Sequence, residues 1–273
     1  MNKILMHCIT LNPNHLESIK ELEYIPVGLG DNIFSDKWMG DKSGDSISSK
    51  NKFYGEYTFH YWVWKNYLDK LDDNYWIGFC QYRKFWTKKT IKEESITFEI
   101  LKNNILKEVE LENKYDAIIG EPFFVNQFRL SKFIKRNFIT MLFHPSLFFN
   151  KKKRNIKFHF DMMHGKGNID KAINLLNNED KEEFKLFINT NTSFNPHNMF
   201  ICKSKSILKN YYEAVFPWLA RCEAEFGFDN LKGYGMQRIY GFLAERYMSY
   251  WFQKNTKYKI MPIYFKDITD FNL

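Results

Sequence analysis

The residues best suited to chemistry fall in three stretches. In YWIGFCQYRKFW, Tyr75 to Trp86, an apolar run ends abruptly in Gln81, Tyr82, Arg83 and Lys84. A guanidinium delivered to a strand end can hold a diphosphate through paired N–H donors, with Tyr82 beside it to stack or hydrogen-bond. The competing reading is a solvated strand end. In GDSISSKNKFYGEY, Gly44 to Tyr57, polar residues lead into the aromatic run YWVWKN, Tyr61 to Asn66. There Ser48 and Asn51 can donate, and Glu56 can accept, hydrogen bonds with ribose or sugar hydroxyls. The plainer alternative is a capped helix start with a packed aromatic face. The third stretch joins FNPHNMFICKS, Phe194 to Ser204, to GYGMQRIYGFLAER, Gly233 to Arg246. On a helix Arg238, Gly241, Phe242 and Glu245 share neighbouring faces. Glu245 beside Arg246 reads as a partly buried carboxylate with a partner, serving either catalysis or a structural ion pair.

The absences narrow the field. The chain has no GxGxxG fingerprint, P-loop, GxSxG elbow or HExxH helix, and no strict Asp-x-Asp. Spacing alone does not make His159 and His164 metal ligands, and a surface role is expected for both. Glu108, Glu110 and Glu112 alternate, which on a helix would spread them over a solvated face. Cys8, Cys80, Cys202 and Cys222 form no CxxC pair, so buried free thiols in a reducing compartment are expected. MNKILMHCIT reads as a first strand rather than a signal peptide, and no apolar stretch is long enough to span a bilayer. The expected location is therefore cytoplasmic.

Positioning those residues requires alternating elements. Lys3–Thr10, Tyr75–Tyr82, Tyr115–Gly120, His197–Lys203 and Tyr258–Phe265 read as strands. Tyr24–Ser49, which holds Gly28, Gly30, Gly40 and Gly44, reads as one long loop. Helices are expected over Phe53–Leu71, with Tyr57, Tyr61, Trp64 and Leu68 on one stripe, and from beyond Glu94 to near Glu112. Further helices are expected over Arg129–Leu142, Ile169–Asn178, Lys181–Asn189 and Tyr234–Phe252. Lys151–Lys157 reads as a basic loop. Ser204 is placed to cap a helix that Pro217 would kink or end. This alternation predicts an α/β fold with a largely parallel sheet, whose ligands bind outside the strands' carboxyl ends. At 273 residues, with 44% hydrophobic and 18% aromatic content, one domain with a sizeable core is expected. Its halves would be 1–126, mainly for a nucleotide sugar, and 127–273, mainly for an acceptor.

Taken together, the three stretches resemble the bacterial family named domain of unknown function 4422, found among capsular and exopolysaccharide glycosyltransferases. The early Tyr-Ile-Pro with a following Gly is matched by Tyr24, Ile25, Pro26 and Gly28. Gly-Asp-x-Ile-Ser-x-Lys-Asn is matched by Gly44, Asp45, Ile47, Ser48, Lys50 and Asn51. Tyr54, Glu56, Tyr61, Trp62, Trp64, Lys65 and Asn66 continue the pattern, and Asn198 to Ile201 and Arg238 to Arg246 close it. Gln81 stands where the family has His, Lys84 where it has a second Arg, and Trp76 departs before Ile77; Tyr82 and Arg83 are kept.

The resemblance implies a GT-A-like Rossmannoid fold, with a mostly parallel sheet flanked by helices and helical additions. It implies sugar transfer from a nucleotide donor, UDP-linked by preference and UDP-galactofuranose among the candidates, to a glycan or lipid-linked glycan acceptor. The expected donor site is Gly28, Asp45, Ser48, Lys50, Asn51, Glu56, Gln81, Tyr82, Arg83, Asn198, Arg238 and Arg246. Without Asp-x-Asp, Arg83 and Lys84 would neutralise the leaving diphosphate, with Mn or Mg a possible helper. If the reaction inverts, a carboxylate takes the acceptor's proton: Glu245 first, then Asp229 and Asp161.

A net charge of +8 and an acid-free stretch, Pro122–Phe160, support one competing class, a basic nucleic-acid-binding protein. No nucleic-acid module accompanies that stretch, so nucleic acid is not the expected partner. The same basic surface suits peripheral contact with acidic lipid.

Overall fold

The computed structural model describes residues 2–93, 95–109, 114–127 and 153–271. The expected Arg129–Leu142 helix, Glu110, Glu112 and the start of the basic loop lie outside the described residues. Contacts divide the chain into two compact units: 1–121, 197–214 and 252–273 form the first, and 122–196 and 215–251 the second.

The strands in chain order are β1 (Asn2–Thr10), β2 (Ile25–Gly28), β3 (Met39–Gly40), β4 (Trp76–Gln81), β5 (Lys84–Trp86) and β6 (Glu108–Val109). Then come β7 (Ala117–Gly120), β8 (Phe123–Phe124), β9 (Ser193–Phe194), β10 (Phe200–Cys202), β11 (Tyr258–Met261) and β12 (Ile263–Phe265). The first unit is built on a sheet ordered β11-β7-β10-β4-β1-β2-β3. All neighbours along it are parallel except β10, which runs against both β4 and β7. The α/β expectation with a mostly parallel sheet is met.

Side-chain alternation along β1 and β4 builds two different faces. Ile4, Met6 and Cys8 point with Trp76 and Cys80 into an aliphatic and aromatic core closed by helix Phe98–Asn104. Gly78 belongs to this face, where an added Cβ would lie 2.9 Å from the Met6 methyl. The opposite face is aromatic: His7 stacks on Phe79 at 5.3 Å, and Phe79 meets His60 at 4.4 Å. Helix Tyr57–Trp62 covers this face, with Tyr57, Phe59 and His60 fully buried.

Several expectations change. The supposed loop from Tyr24 to Ser49 contains β2 and β3, too short to show alternation. The helix expected to Glu112 stops at Asn104, and Glu108 lies in β6, paired antiparallel with β1. The Phe53–Leu71 helix starts at Asn51 and breaks at Gly55, whose φ of 60° favours glycine. It then passes through a π-helical turn, Val63–Tyr67. Its inward side is Tyr57, Phe59, His60 and Val63, whereas Tyr61 and Trp64 are half-exposed. Pro262 splits the last strand into β11 and β12, and Arg238 interrupts the last helix before Ile239–Asn255. Pro217 sits inside helix Lys205–Phe226 without ending it. An interior proline costs about 3 kcal/mol, whereas fully burying each of Val215, Trp218 and Leu219 returns about 1.5–3 kcal/mol. Packing therefore outweighs the lost bond.

In the second unit β8 and β9 form an antiparallel pair, and helices Ile156–His164, Asn168–Asn174 and Asn178–Thr190 pack together. All four cysteines are free and buried. Among the described residues no helix is long and apolar enough to cross a membrane.

Burial pushes His7 down to about 4 and His60 to about 3, in His60 with help from the nearby His7. Both folded values lie below the unfolded 6.5, so the unfolded chain binds more protons as pH falls through that window. Stability should therefore be fully present above about pH 6.5 and decline toward pH 4. Urea denaturation at pH 7 and pH 5 should show it, and His7→Phe should shallow the slope by up to about 1.4 kcal/mol per pH unit. An unchanged slope would contradict the assignment.

Candidate functional site

Register aligns the carboxyl ends of the parallel strands. Ile9 pairs with Gln81, Thr10 with Gly28, and Gly28 with Gly40. Gly28 is required because the Phe34 ring occupies the place of a side chain. Gln81 falls two residues beyond Phe79, on the face covered by helix Tyr57–Trp62. There it meets Glu56, the residue that starts this helix.

The result is a polar cluster. Glu56 Oε1 accepts from Gln81 Nε2 at 3.1 Å and from Asn198 Nδ2 at 3.2 Å. Gln81 also donates to the His197 carbonyl at 3.1 Å, and its own oxygen accepts from Lys84 Nζ at 2.8 Å. His197 and Asn198 both have left-handed backbones, with φ of 82° and 53°. Such conformations are retained where surroundings over-determine them, often at functional sites. His197 is pushed down to about 3, first by burial and then by Lys84 and Arg83. That shift registers an electropositive strand end. Arg83 is exposed, with its guanidinium 5.6 Å from the Tyr82 ring.

Further groups border the same ends without having been anticipated. His15 shares hydrogen bonds with Thr10 (2.8 Å) and Asn12 (3.1 Å), and its ring lies 5.0 Å from Tyr82. Asp41, next to Gly40, is fully buried, and burial raises its pKa, with the Thr58 hydroxyl opposing. Asp267 caps the final turn through Thr269 and acts on His15. Single short polar residues beside strand ends carry no periodic signal, so only their place in the fold marks them.

The remaining expected donor residues are distributed as follows. Asn51 donates to the Gly55 carbonyl at 3.0 Å and to Thr58 at 3.1 Å, holding the glycine break. The Ser48 amide bonds Ser46, and Lys50 is half-buried at the end of the same turn. Asp45 is tied elsewhere: it accepts from Tyr61 at 3.1 Å, and its backbone is clasped on both sides by the Asn66 amide. Trp62 Nε1 donates to the Ser43 carbonyl at 2.8 Å, completing this latch.

Arg238, Glu245, Arg246, Asp161 and Asp229 belong to the second unit. Arg246 is 2% exposed and pairs with Glu245. Its guanidinium lies 4.2 Å from the Phe194 ring, and its Nη2 is 3.3 Å from His159 Nδ1. Burial lowers the Arg246 pKa, and Glu245 opposes that shift. His159 is pushed to about 3 and His164 to about 2, each by burial first and Arg246 second. The surface expectation for His164 is corrected: it is buried, stacked on Phe242 at 4.1 Å and bonded to the Gly235 carbonyl. His159 is half-buried against Phe123 and Phe194 rather than solvated. Asp161 accepts from Lys157 at 3.2 Å and from the Gly167 amide at 3.0 Å. Arg238 stands at the helix interruption over Tyr234, and Asp229 is exposed. Among the described residues no three His, Cys, Asp or Glu side chains gather as metal ligands.

Residues 9–256 match the family described as Domain of unknown function (DUF4422). No curated protein matches the chain. Among solved structures, the apo structure of the bifunctional glycosyltransferase WbbM is 18% identical, with a TM-score of 0.55. The similarity covers 97% of this chain and 45% of that one, so this chain spans less than half of that protein's length. The likeness is one of fold, a mostly parallel sheet flanked by helices.

Glu245→Gln would leave the Arg246 guanidinium buried without its counter-charge. Breaking such a pair should lower the unfolding free energy by about 3–5 kcal/mol, read by chemical denaturation. A loss below about 1 kcal/mol would show that the pair carries little.

Proposed function

Since this chain belongs to the family described as domain of unknown function 4422, we propose that it is a glycosyltransferase. In this reading it moves a sugar from a nucleotide donor, UDP-linked, to a growing surface glycan. The observation that carries the reading is the polar cluster of Glu56, Gln81, Asn198 and Lys84 at the carboxyl end of β4. Ligands of open α/β sheets bind at such ends. The likeness to a glycosyltransferase structure supports the same reading.

The first unit takes the donor. Arg83 and Lys84 meet the diphosphate, where two cations offset the charge that grows on the leaving group. Tyr82 lies beside them, and Gly28, Ser48, Lys50 and Asn51 border the nucleotide sugar. Arg238 and Arg246 stay with the expected donor residues, and Glu245, then Asp229 and Asp161, stay as candidate bases. Turnover by folded Glu245→Gln decides that role.

UDP should raise the melting temperature of the wild-type protein by mass action. In a panel of UDP-sugars including UDP-galactofuranose, with and without manganese, the true donor should give the largest shift. Arg83→Ala should weaken UDP binding by about 1.5–3 kcal/mol, the range for a charge-assisted hydrogen bond. Equal affinity would refute the diphosphate assignment. Salt-sensitive oligonucleotide binding with no response to any nucleotide sugar would favour the nucleic-acid reading instead.

The acid-free basic stretch 122–160 extends the proposal to the acceptor. Each basic residue close to an anionic bilayer contributes about 1 kcal/mol, so several give reversible attachment. Sedimentation with vesicles should rise with anionic lipid and fall with salt. Equal recovery in the supernatant with neutral and acidic vesicles would end the membrane-surface idea alone.

A further inference from the structure

We propose that Asn66 is a positioning residue for the donor, holding the loop from Asp41 to Lys50 in the conformation that receives a nucleotide sugar. The inference rests on the glycosyltransferase reading above. The sheet fixes where this loop runs. It leaves β3 at Gly40, whose partner in register is Gly28 at the end of β2. It arrives at Asn51, and a Cβ added at Gly30, just beyond β2, would lie 3.9 Å from Asn51 Oδ1. Lys42 donates to the Asn32 carbonyl at 3.4 Å on the same side. The loop therefore borders the carboxyl ends of two parallel strands, where ligands of such sheets bind.

Little within the loop keeps it in place. Between β3 and Asn51 the backbone forms one short helical turn, Ser48–Lys50, and Asp45 is exposed. The hold comes from residues 61–66. Asn66 Oδ1 accepts from the Asp45 amide at 3.0 Å, and Asn66 Nδ2 donates to the Asp45 carbonyl at 2.8 Å. One side chain thus pairs with both backbone groups of one residue, as a neighbouring strand would. Trp62 Nε1 donates to the Ser43 carbonyl at 2.8 Å, and the Tyr61 hydroxyl donates to Asp45 Oδ1 at 3.1 Å. The fit is close: a Cβ at Gly44 would lie 2.8 Å from Asn66 Cγ.

The π-helical turn Val63–Tyr67 carries this amide, and such turns recur at functional sites. There the Leu68 amide bonds back to the Val63 carbonyl, one residue further than in an α-helix. Asn66 Nδ2 also donates to the Trp62 carbonyl at 3.1 Å, the group an α-helical turn would give to the Asn66 backbone amide. An amide nitrogen has two protons, so it can bond Asp45 and Trp62 together. The side chain is thereby fixed to its own helix before it clasps the loop. Asp45 is then an anchor, and Ser48 and Lys50, which follow it, are the loop's donor-bordering residues. A loop without the clasp would have to be ordered at each binding event, which weakens affinity.

The experiment is Asn66→Ala in the full chain. The UDP dissociation constant should rise about tenfold, the scale of two lost hydrogen bonds. For whichever UDP-sugar of the panel turns over, KM should rise equally while kcat stays within about threefold, the mark of lost uniform binding. Trypsin should cut after Lys42 or Lys50 faster than in wild type, and saturating UDP should restore resistance. Tyr61→Phe removes one bond to the Asp45 side chain and spares the backbone clasp, so the same readouts should move in the same direction by less. If Asn66→Ala does not fold, Tyr61→Phe alone decides. A clasp that is merely structural would expose the lysines with no protection by UDP and no change in KM, overturning the proposal. So would a fall in kcat at constant KM. If the wild-type protein neither binds UDP nor turns over any donor, the glycosyltransferase reading falls and takes this one with it. Normal wild-type turnover with an unchanged variant KM defeats this inference alone.

Discussion

Six paired positions tie β1 to β4, from Ile4 with Trp76 to Ile9 with Gln81, and this register decides which face each side chain occupies. A slip of one residue would exchange the faces. If β4 slipped, Phe79 would leave the aromatic layer beside His7, and Gln81 would turn away from the helix that carries Glu56. The site is thus a by-product of core packing. The rings that bury Phe59 and His60 against β4 also set where the next polar residue emerges.

The two carboxylates that matter most are stabilised by opposite means. Glu245 faces a guanidinium enclosed by Phe194 and neighbouring rings, where the pair can be held only as a pair. Glu56 faces amides near solvent. The first arrangement holds because losing either partner would strand the other's charge in a dry setting. The second fixes the carboxylate's direction through two amide donors. Burial first, and the nearby Arg246 charge second, disfavour a positive charge on His159 and His164.

How much was legible in the sequence follows from the range of the forces involved. β1, β4 and β7 are runs buried enough to stand out, and the abrupt turn from Cys80 to Gln81–Lys84 marked a strand end correctly. β2 and β3 are short strands next to glycines, and their residues carried turn signals that paired backbone overrode. Pro217 carried a break signal that the burial of its neighbours overrode. The contacts of Glu56 were beyond reach: its amide partners lie 25 and 142 residues away, and no local pattern encodes such a meeting. His164 misled for the same reason, since the Phe242 ring that buries it comes much later in the chain.

The clasp between Gly44 and Asn66 constrains descent as well as shape. A Cβ at position 44 would strike the Asn66 amide, and the backbone there has a φ of +65°. A larger residue at 44 would therefore displace the side chain at 66 or require a shorter one there. It would still inherit the backbone strain, together with a loop deprived of the amide that held Asp45. The two positions are thus coupled, because a change at either one loosens the hold on the Asp45 backbone.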